Sequence, residues 1–229
     1  MTTRVVKGAV LAEYLRRGGP ASTMGWPAGS LTSARATVQK KQKGTYQLFT
    51  GGGIYTTTKY GTVGVLGVLQ ANYRSHGGPT GKLGWPTKIA HVQTVNQGGA
   101  SQTFTGGTIY WSTYGSTHAI GTSSILTEYN RRGGPSSTLG WPKSGATAAS
   151  VHGGGSTVVF QSGAVYHSKA GAFAVRGDLY TAYLKKGGPK GALGWPTTTA
   201  VEKNGLWSQR FTGGRITWSA KAGAKTYTS

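Results

Sequence analysis

The sequence predicts an α+β repeat protein whose four units close into a propeller-like ring with pseudo-four-fold symmetry. The main observation is a ten-residue phrase, Gly-Gly-Pro followed by four residues and then Gly-Trp-Pro, which occurs four times. Its tryptophans are 54 to 59 residues apart, at Trp26, Trp85, Trp141 and Trp195. Such spacing is typical of tandem repeats, in which neighbouring units share a core that one unit could not bury alone.

A short amphipathic helix is predicted before each Gly-Gly-Pro. In the first unit, Val10, Leu11, Tyr14 and Leu15 have helical spacing, and every unit has a tyrosine at the position of Tyr14. Gly18 can then adopt the left-handed conformation that ends a helix, and the proline that follows cannot continue one. Each unit is therefore expected to contain one helix of two to three turns.

A β-hairpin is predicted farther along each unit. A phenylalanine and a β-branched residue are five positions apart in all four units, as in Phe49 and Ile54. Glycines between them accept the positive φ angles that tight hairpin turns require. The polar segment before each hairpin has room for a third strand. A unit is thus expected to be a short helix plus a β-hairpin, with at most one further strand.

The two ends of the chain complement each other, which is the basis for predicting a closed ring. The connector that ends in Val175-Arg176-Gly177 has no counterpart after the last hairpin, but Val6-Lys7-Gly8 matches it at the start. We expect units at about 8–60, 67–115, 123–171 and 177–229 in a single domain, 1–229. Residues 1–7 would complete the last unit by pairing the N- and C-termini, which removes open sheet edges. The alternative is an open array.

Composition points to a polyanionic partner. The chain has 25 Lys and Arg against four Asp and Glu, a formal charge of +21, and it has no cysteine. An excess of this size favours nucleic acid, anionic lipid or an anionic wall polymer as a partner, and the lack of cysteine excludes disulfides and thiolate metal sites. No apolar run is long enough to span a membrane. The first residues lack the apolar core of a signal peptide, so we expect an excerpt of a longer exported protein.

An enzyme is hard to build from these residues. The four carboxylates are Glu13, Glu128, Asp178 and Glu202. Glycosidase chemistry needs two carboxylates in one cleft, whereas Glu13 and Glu128 hold the same position in different units. The five histidines show no metal-ligand spacing, and there is no Gly-x-Ser-x-Gly motif. We predict no catalytic residue, no metal site, no cofactor and no enzymatic activity.

The repeated phrases resemble the LGFP repeat family. Leu83-Gly84-Trp85-Pro86 matches its Leu-Gly-aromatic-Pro core, and Gly106-Gly107-Thr108-Ile109-Tyr110-Trp111-Ser112 matches its second motif. The family occurs in tandem in exported proteins of Gram-positive bacteria. The resemblance implies a secreted, wall-associated, non-catalytic module that binds cell-wall glycan, either arabinogalactan, peptidoglycan or an anionic wall polymer. We also expect a monomer.

Two sets of aromatic residues compete for the role of sugar platform. The tryptophans of Gly-Trp-Pro are fixed in sequence context, so we predict that they fill the core. The better stacking candidates are aromatics that vary among units: Tyr55, Tyr110, Trp111, Tyr166, Trp207 and Trp218. Strand alternation places Tyr110 and Trp111 on opposite faces, so one of the two is expected to be exposed. Burial in the core remains an open alternative for each candidate.

Basic residues precede each Gly-Gly-Pro, and they have two open interpretations. The candidates are Arg17, Arg74, Arg132 and Lys186. Placement at a helix C-terminus is favourable by a few tenths of a kcal/mol. The functional alternative is a ring of cations that meets phosphates or carboxylates, which would make binding salt-dependent.

Together these patterns predict a multivalent, non-catalytic polysaccharide-binding module of the cell wall. Several weak sites on one body would gain avidity on a repeating polymer. A basic binder of nucleic acid or other polyanions is the first alternative, because positive charge with interleaved aromatics is also typical of that class. A structural or protein-interaction ring is the second.

Overall fold

A computed structural model describes residues 3–38, 42–114 and 116–228. Residues 1, 2, 115 and 229, which fall at the ends of the units predicted from the sequence, lie outside these described ranges. Four α-helices occur in the described part: α1 (Gly8–Arg16), α2 (Gly67–Ser75), α3 (Ser124–Arg131) and α4 (Gly177–Lys185). Short 3₁₀ turns occur at Gly19–Ala21, Gly78–Thr80, Val95–Gln97, Gly134–Ser136, Val151–Gly153 and Gly188–Lys190.

Each helix is followed by a four-stranded antiparallel sheet whose strands are adjacent in chain order. The first sheet contains β1 (Thr32–Arg35), β2 (Lys43–Phe49), β3 (Gly52–Thr57) and β4 (Gly61–Leu66). The second contains β5 (His91–Gln93), β6 (Gly99–Phe104), β7 (Gly107–Ser112) and β8 (Thr117–Gly121). The third contains β9 (Thr147–Ala149), β10 (Gly155–Phe160), β11 (Gly163–Ser168) and β12 (Gly171–Arg176). The fourth contains β13 (Val201–Lys203), β14 (Leu206–Phe211), β15 (Gly214–Ser219) and β16 (Gly223–Thr228).

The predicted α+β repeat is confirmed, but the predicted unit was too small. The hairpins are β2–β3, β6–β7, β10–β11 and β14–β15. Two further strands flank each hairpin, whereas the sequence predicted at most one. The missed strand is the segment interpreted as a connector, such as β12, which pairs with β11 along six residues. Val175 lies in this strand and is fully buried, so the segment contributes to the core rather than linking units.

The Gly-Gly-Pro phrase ends each helix as predicted. Gly18 has a φ of 97° and Gly77 has a φ of 84°, both in the left-handed region that glycine adopts without strain. The next residues form a 3₁₀ turn that contains the proline, for example Gly19–Ala21. The chain therefore leaves each helix in a fixed direction, toward the Gly-Trp-Pro turn.

The tyrosine that recurs in every helix joins the helix to this turn. The Tyr14 hydroxyl donates to the carbonyl of Gly25 at 2.8 Å, and the Tyr129 hydroxyl donates to Gly140 at 2.7 Å. The same bond links Tyr73 to Gly84 and Tyr183 to Gly194. Each tyrosine ring also packs on the phenylalanine of its hairpin, with centroids 4.3 to 4.6 Å apart. The bond satisfies a hydroxyl that would otherwise be buried without a partner.

The Gly-Trp-Pro turn is also tied to the hairpin. The Trp26 backbone N–H donates to the Thr50 hydroxyl at 3.1 Å, and the Trp141 N–H donates to Gln161 Oε1 at 2.9 Å. Gln161 departs from the threonine found in the other units, but it supplies the same acceptor. The proline of each turn forms an isolated β-bridge with the hairpin phenylalanine, as in Pro27 with Phe49. The two repeated phrases are thus two halves of one packed element.

The chain separates into two compact units, Met1–Thr122 and Ser123–Ser229, and each contains two helix-plus-sheet repeats. Within each unit, one tryptophan docks on the preceding sheet. Trp85 Nε1 donates to the Gln42 carbonyl at 2.9 Å, and Trp195 Nε1 donates to the Val151 carbonyl at 2.9 Å. A Cβ added at Gly44 would lie 2.8 Å from the Trp85 ring, so only glycine permits this approach. Gly155 has the same relation to Trp195, at 2.7 Å.

Residues 3–7, the described part of the predicted closing segment, contain no strand. The fourth sheet has its own fourth strand, because β16 pairs with β15 along six residues. The Val5 carbonyl accepts a hydrogen bond from Gln47 Nε2 at 3.1 Å, as the Gly64 carbonyl does from Gln102 at 3.0 Å. The segment thus takes the position that the end of β4 takes for the second sheet. Ring closure and the single-domain organisation remain predictions.

Candidate functional site

Three of the predicted stacking aromatics are buried. Tyr55, Tyr110 and Tyr166 are each at most 4% exposed, so the expectation of sugar stacking is wrong for them. The Tyr55 ring packs edge-on against Tyr73 of the next helix, and Tyr166 packs in the same way against Tyr183. Burial raises the pKa of the Tyr110 hydroxyl to about 12. Residues beyond the hairpin cover this face of the sheet, which the local pattern does not reveal.

The remaining three aromatic candidates, Trp111, Trp207 and Trp218, are half-buried. Trp207 of β14 and Trp218 of β15 are direct cross-strand partners. Trp111 of β7 has Ala100 as its partner on β6. The fourth sheet is therefore the one that brings two candidates together, in the second compact unit.

The tryptophan pair lines a concavity with a volume of about 210 Å³. Its lining residues are Arg176, Gly177, Asp178, Leu179, Ala200, Trp207 and Trp218. The guanidinium carbon of Arg176 lies 5.3 Å from the Trp207 ring centroid, within range of a cation–π contact. This Trp pocket, as we call it, combines aromatic surface with one cation and one carboxylate. Its size suits one sugar residue better than a large ligand.

Local structure explains how the Trp pocket is assembled. Arg176 ends β12, Asp178 lies in the first turn of α4, and the indoles project from the following sheet. Trp207 and Trp218 lie on the same face of that sheet as Gln209 and Ile216, because residues two positions apart on a strand point to the same face. The pocket therefore forms at the junction of the third and fourth sheets within the second compact unit.

A larger concavity, of about 610 Å³, occurs on the first sheet. It is lined by Arg35, Lys43 and Gly44 together with threonine and other small side chains. None of the described residues that line it is aromatic. The Trp pocket is the stronger candidate for a sugar site because it offers stacking surface.

Two of the four basic candidates have a structural partner. Arg17 Nε is 2.7 Å from a Glu13 carboxylate oxygen, and Arg132 Nε is 2.6 Å from the equivalent oxygen of Glu128. Arg16 and Arg131 bind the second oxygens of the same carboxylates. For this pair of units the helix-end interpretation is the better supported one. Arg74 and Lys186 are exposed, and Asn72 and Ala182 stand where the glutamates would be.

The paired arginines shift the glutamate pKa values downward. The hydrogen bond from Arg16 is the largest cause for Glu13, and Arg17 adds to it against the opposing effect of burial. For Glu128, burial alone would raise the pKa, but hydrogen bonds from Arg131 and Arg132 outweigh it and lower the pKa. Both carboxylates are therefore ionised and engaged at neutral pH.

The Gly-Trp-Pro tryptophans divide into two groups. Trp85, Trp141 and Trp195 are at most 1% exposed, which confirms the predicted core role. Trp26 is 67% exposed, so the prediction is wrong for this residue. The reason is geometric: Trp85 and Trp195 dock on the sheet that precedes them, and no described sheet precedes Trp26. The sequence contains this signal, since Trp26 comes before the first hairpin.

Sequence reasoning also missed Arg176 and Asp178 as pocket residues. Asp178 is one of the four acidic residues of the chain and precedes an apolar residue, Leu179, of the fourth predicted helix. In the structure Arg176 occupies the cap position and Asp178 follows in the first turn. The available signal was the rarity of acidic residues in so basic a chain.

Other kinds of site have little support in the described residues. Within 3–38, 42–114 and 116–228, no group of three His, Cys, Asp or Glu side chains is arranged to hold a metal ion. None of the helices in these ranges is both long enough and apolar enough to cross a bilayer.

Comparison with known families agrees with the repeat structure. The LGFP repeat matches at residues 32–81, 83–137, 139–191 and 193–228. No curated protein matches the chain. Repeats of this kind are generally associated with proteins of the cell surface. Each matched segment begins near a Gly-Trp-Pro turn and includes the following hairpin. The four segments cover most of the sequence, and the chain belongs to the LGFP repeat family.

Proposed function

We propose that this chain is a non-catalytic module that binds polysaccharide of the bacterial cell wall, with the Trp pocket as its best-formed sugar site. The pairing of Trp207 with Trp218 beside Arg176 and Asp178 is the observation that carries the proposal. Sugar C–H faces pack on indole rings, while carboxylate and guanidinium groups bond to hydroxyls. A secreted protein held at the wall would need these two kinds of contact.

Trp111 is proposed as a second, weaker site. At the equivalent positions of the first compact unit, Leu66 replaces Arg176, Val68 replaces Asp178 and Ala100 replaces Trp207. A single indole beside a leucine and a valine, in place of the arginine and the carboxylate, offers stacking but few hydrogen bonds. Sites of unequal affinity for sugar would still act together on a repeating polymer through avidity. A closed ring would hold such sites in fixed positions.

The positive charge supports attraction to the wall rather than selection of a sugar. A formal charge of +21 raises the local concentration of an anionic polymer and accelerates association at low salt. At about 0.5 M salt the screening length is only a few ångströms, so this contribution is largely removed. Contacts in the Trp pocket are short-range and should persist.

Catalysis is not part of the proposal. Glu13 and Glu128 are occupied by arginines, and a Glu202 carboxylate oxygen accepts the Gly205 N–H at 2.5 Å. Asp178 is the acidic residue in the lining of the Trp pocket. A glycosidase pair needs a second carboxyl group about 5 to 10 Å away across the substrate.

The direct test is retention on insoluble cell walls, with and without their anionic polymers, at low salt and at about 0.5 M salt. We expect retention on stripped walls at high salt, and its loss in Trp207→Ala and Trp218→Ala. Trp26→Ala is the matched control, because Trp26 is exposed and lies outside the pocket. Equal losses in all three variants would indicate nonspecific adsorption through aromatic residues.

Release of the protein by salt alone would favour the alternative, a binder of nucleic acid or other polyanions. The net charge supports this class, since polyanion binding is dominated by salt-dependent contacts. Competition with duplex DNA in the same assay distinguishes a wall-specific module from a general binder of polyanions. A wall-specific module should remain bound in the presence of DNA at high salt.

A further inference from the structure

A row of three side chains crosses the outer face of the fourth sheet. Arg210 of β14 is directly opposite Arg215 of β15, which is directly opposite Tyr227 of β16. All three are exposed. Their positions alternate with those of buried Phe211 and Ile216, so this face is opposite to the one that carries the Trp pocket.

Two arginines at directly opposed cross-strand positions repel each other, and an anion bound between them would relieve this repulsion. Like charges in such positions destabilise a sheet. Neither arginine forms an ion pair within the described part of the chain. The acidic residue of this sheet is Glu202 on β13, whose carboxylate bonds to a backbone N–H. The local repulsion is therefore uncompensated by the protein.

The surroundings of the row fit an oxyanion. The two arginines and Tyr227 line a concavity of about 470 Å³ together with Thr197 and Thr228. The guanidinium carbon of Arg215 lies 4.5 Å from the Tyr227 ring centroid, within range of a cation–π contact. Guanidinium edges and threonine hydroxyls are the donors that bind phosphate oxygens.

The same row in the other sheets shows that arginine is not required by the fold. The equivalent positions are Leu48–Gly53–Val65, Thr103–Thr108–Ile120 and Val159–Ala164–Val175. In the first sheet, Val65 packs in one cluster with Leu69 of α2, and in the third sheet Val175 packs with Leu179 of α4. A sheet face that is not covered by a following helix needs polar residues, but it does not need two arginines at opposed positions.

We propose that Arg210 and Arg215, with Thr197 beside them, form a binding site for a phosphate-type oxyanion. The source can be free phosphate or the phosphodiester of an anionic polymer, because both present the same oxygens. The site lies on the face opposite to the Trp pocket and does not depend on glycan binding there.

The test is calorimetric titration of the full chain with inorganic phosphate and with poly(glycerol phosphate). Arg210→Gln and Arg215→Gln should each weaken binding about tenfold or more, since a charge-assisted bond to an oxyanion is lost. Arg215→Lys should also weaken phosphate binding, because lysine keeps the positive charge but lacks the paired N–H donors of the guanidinium group. Lys221→Gln is the control for charge alone: it removes one exposed cation from the β15–β16 turn and should cost less than about twofold.

The outcomes separate source and mechanism. Binding of both probes, or of one alone, with the stated dependence on Arg210 and Arg215 supports the site and identifies its source. Equal losses in Lys221→Gln and the arginine variants, or no measurable binding of either probe, would overturn it. Trp218→Ala should leave phosphate affinity unchanged, so failure of the sugar site and failure of the oxyanion site give different results.

Discussion

The junction of the first and second sheets and the junction of the third and fourth sheets have the same backbone plan but different chemistry. In both, a helix packs against the sheet before it and the sheet after it, and a tryptophan docks on a glycine of the earlier sheet. The later junction has Arg176, Asp178 and Trp207 where the earlier one has Leu66, Val68 and Ala100. Three side chains thus convert an apolar seam into a pocket with stacking and polar groups.

In this repeat, the scaffold residues and the residues of the proposed binding site occupy separate positions. Scaffold positions are the helix tyrosine, the turn tryptophan and the hairpin phenylalanine, which recur in all four units. Site positions are the end of the fourth strand, the first helical turn and the start of the hairpin. The two junctions differ at the site positions and share the interlocking contacts, so units can differ in pocket chemistry without differing in fold.

The strongest test of the shared scaffold is removal of the docked tryptophans. Trp85→Ala and Trp195→Ala should each destabilise their compact unit by about 3–5 kcal/mol, because each leaves a large cavity and an unpaired carbonyl. Trp26→Ala should cost less than about 0.5 kcal/mol, since that side chain is exposed. Urea unfolding followed by circular dichroism measures all three. A large effect of Trp26→Ala would contradict docking on a preceding sheet as the source of stability.

The difference in chemistry predicts unequal binding by the two junctions. Trp207→Ala should lower the affinity for a wall-derived oligosaccharide about tenfold. Trp111→Ala should lower it less than about threefold, because the earlier junction lacks the arginine and the carboxylate of the Trp pocket. Titration calorimetry at about 0.5 M salt measures both. Leu15→Ala is a control variant at an exposed apolar position outside both junctions. Equal effects at Trp111 and Trp207 would remove the distinction between the junctions.

The smallest expected effect concerns acid stability and the helices outside the junctions. The pKa values of Glu13 and Glu128 are lowered in the folded state, so their contribution is present above the ordinary glutamate pKa and is lost as pH falls through the lowered value. Glu128→Gln should cost about 1 kcal/mol at pH 7 and nearly nothing at pH 2. Thermal unfolding across this pH range gives the difference. A constant cost across the range would show that the ion pairs do not contribute.

Much of the fold follows from the repeated phrases because their contacts are local. Tyr14, Gly18 and Phe49 act within one unit, and the sequence predicts their helix, turn and hairpin correctly. The fourth strand escaped prediction because a run such as Gly171–Arg176 is short and rich in small residues. Its pairing with β11 and the burial of Val175 define it as a strand, and both depend on tertiary packing.

The site was less predictable because exposure depends on neighbouring units. Tyr110 and Trp111 were correctly separated onto opposite faces, but which face is covered depends on residues beyond the strand. Trp26 and Trp85 have similar local sequences and opposite exposure, because Trp85 docks on the first sheet and no described sheet precedes Trp26. Arg176 and Asp178 lie beside the tryptophans because the third and fourth sheets pack together at a junction. Residue spacing within one unit cannot predict such a contact.

The contact of tryptophan with glycine restricts which repeat can precede another. Gly44 and Gly155 lie five residues before the hairpin phenylalanine and receive the indole of the next repeat. In the fourth repeat the same position is Leu206, whose side chain would occupy the space that the indole needs. Exchanging the fourth repeat with the first or third would therefore break a junction unless Leu206 were changed to glycine. A single residue in the second strand thus distinguishes the fourth repeat from the other three, which have glycine there.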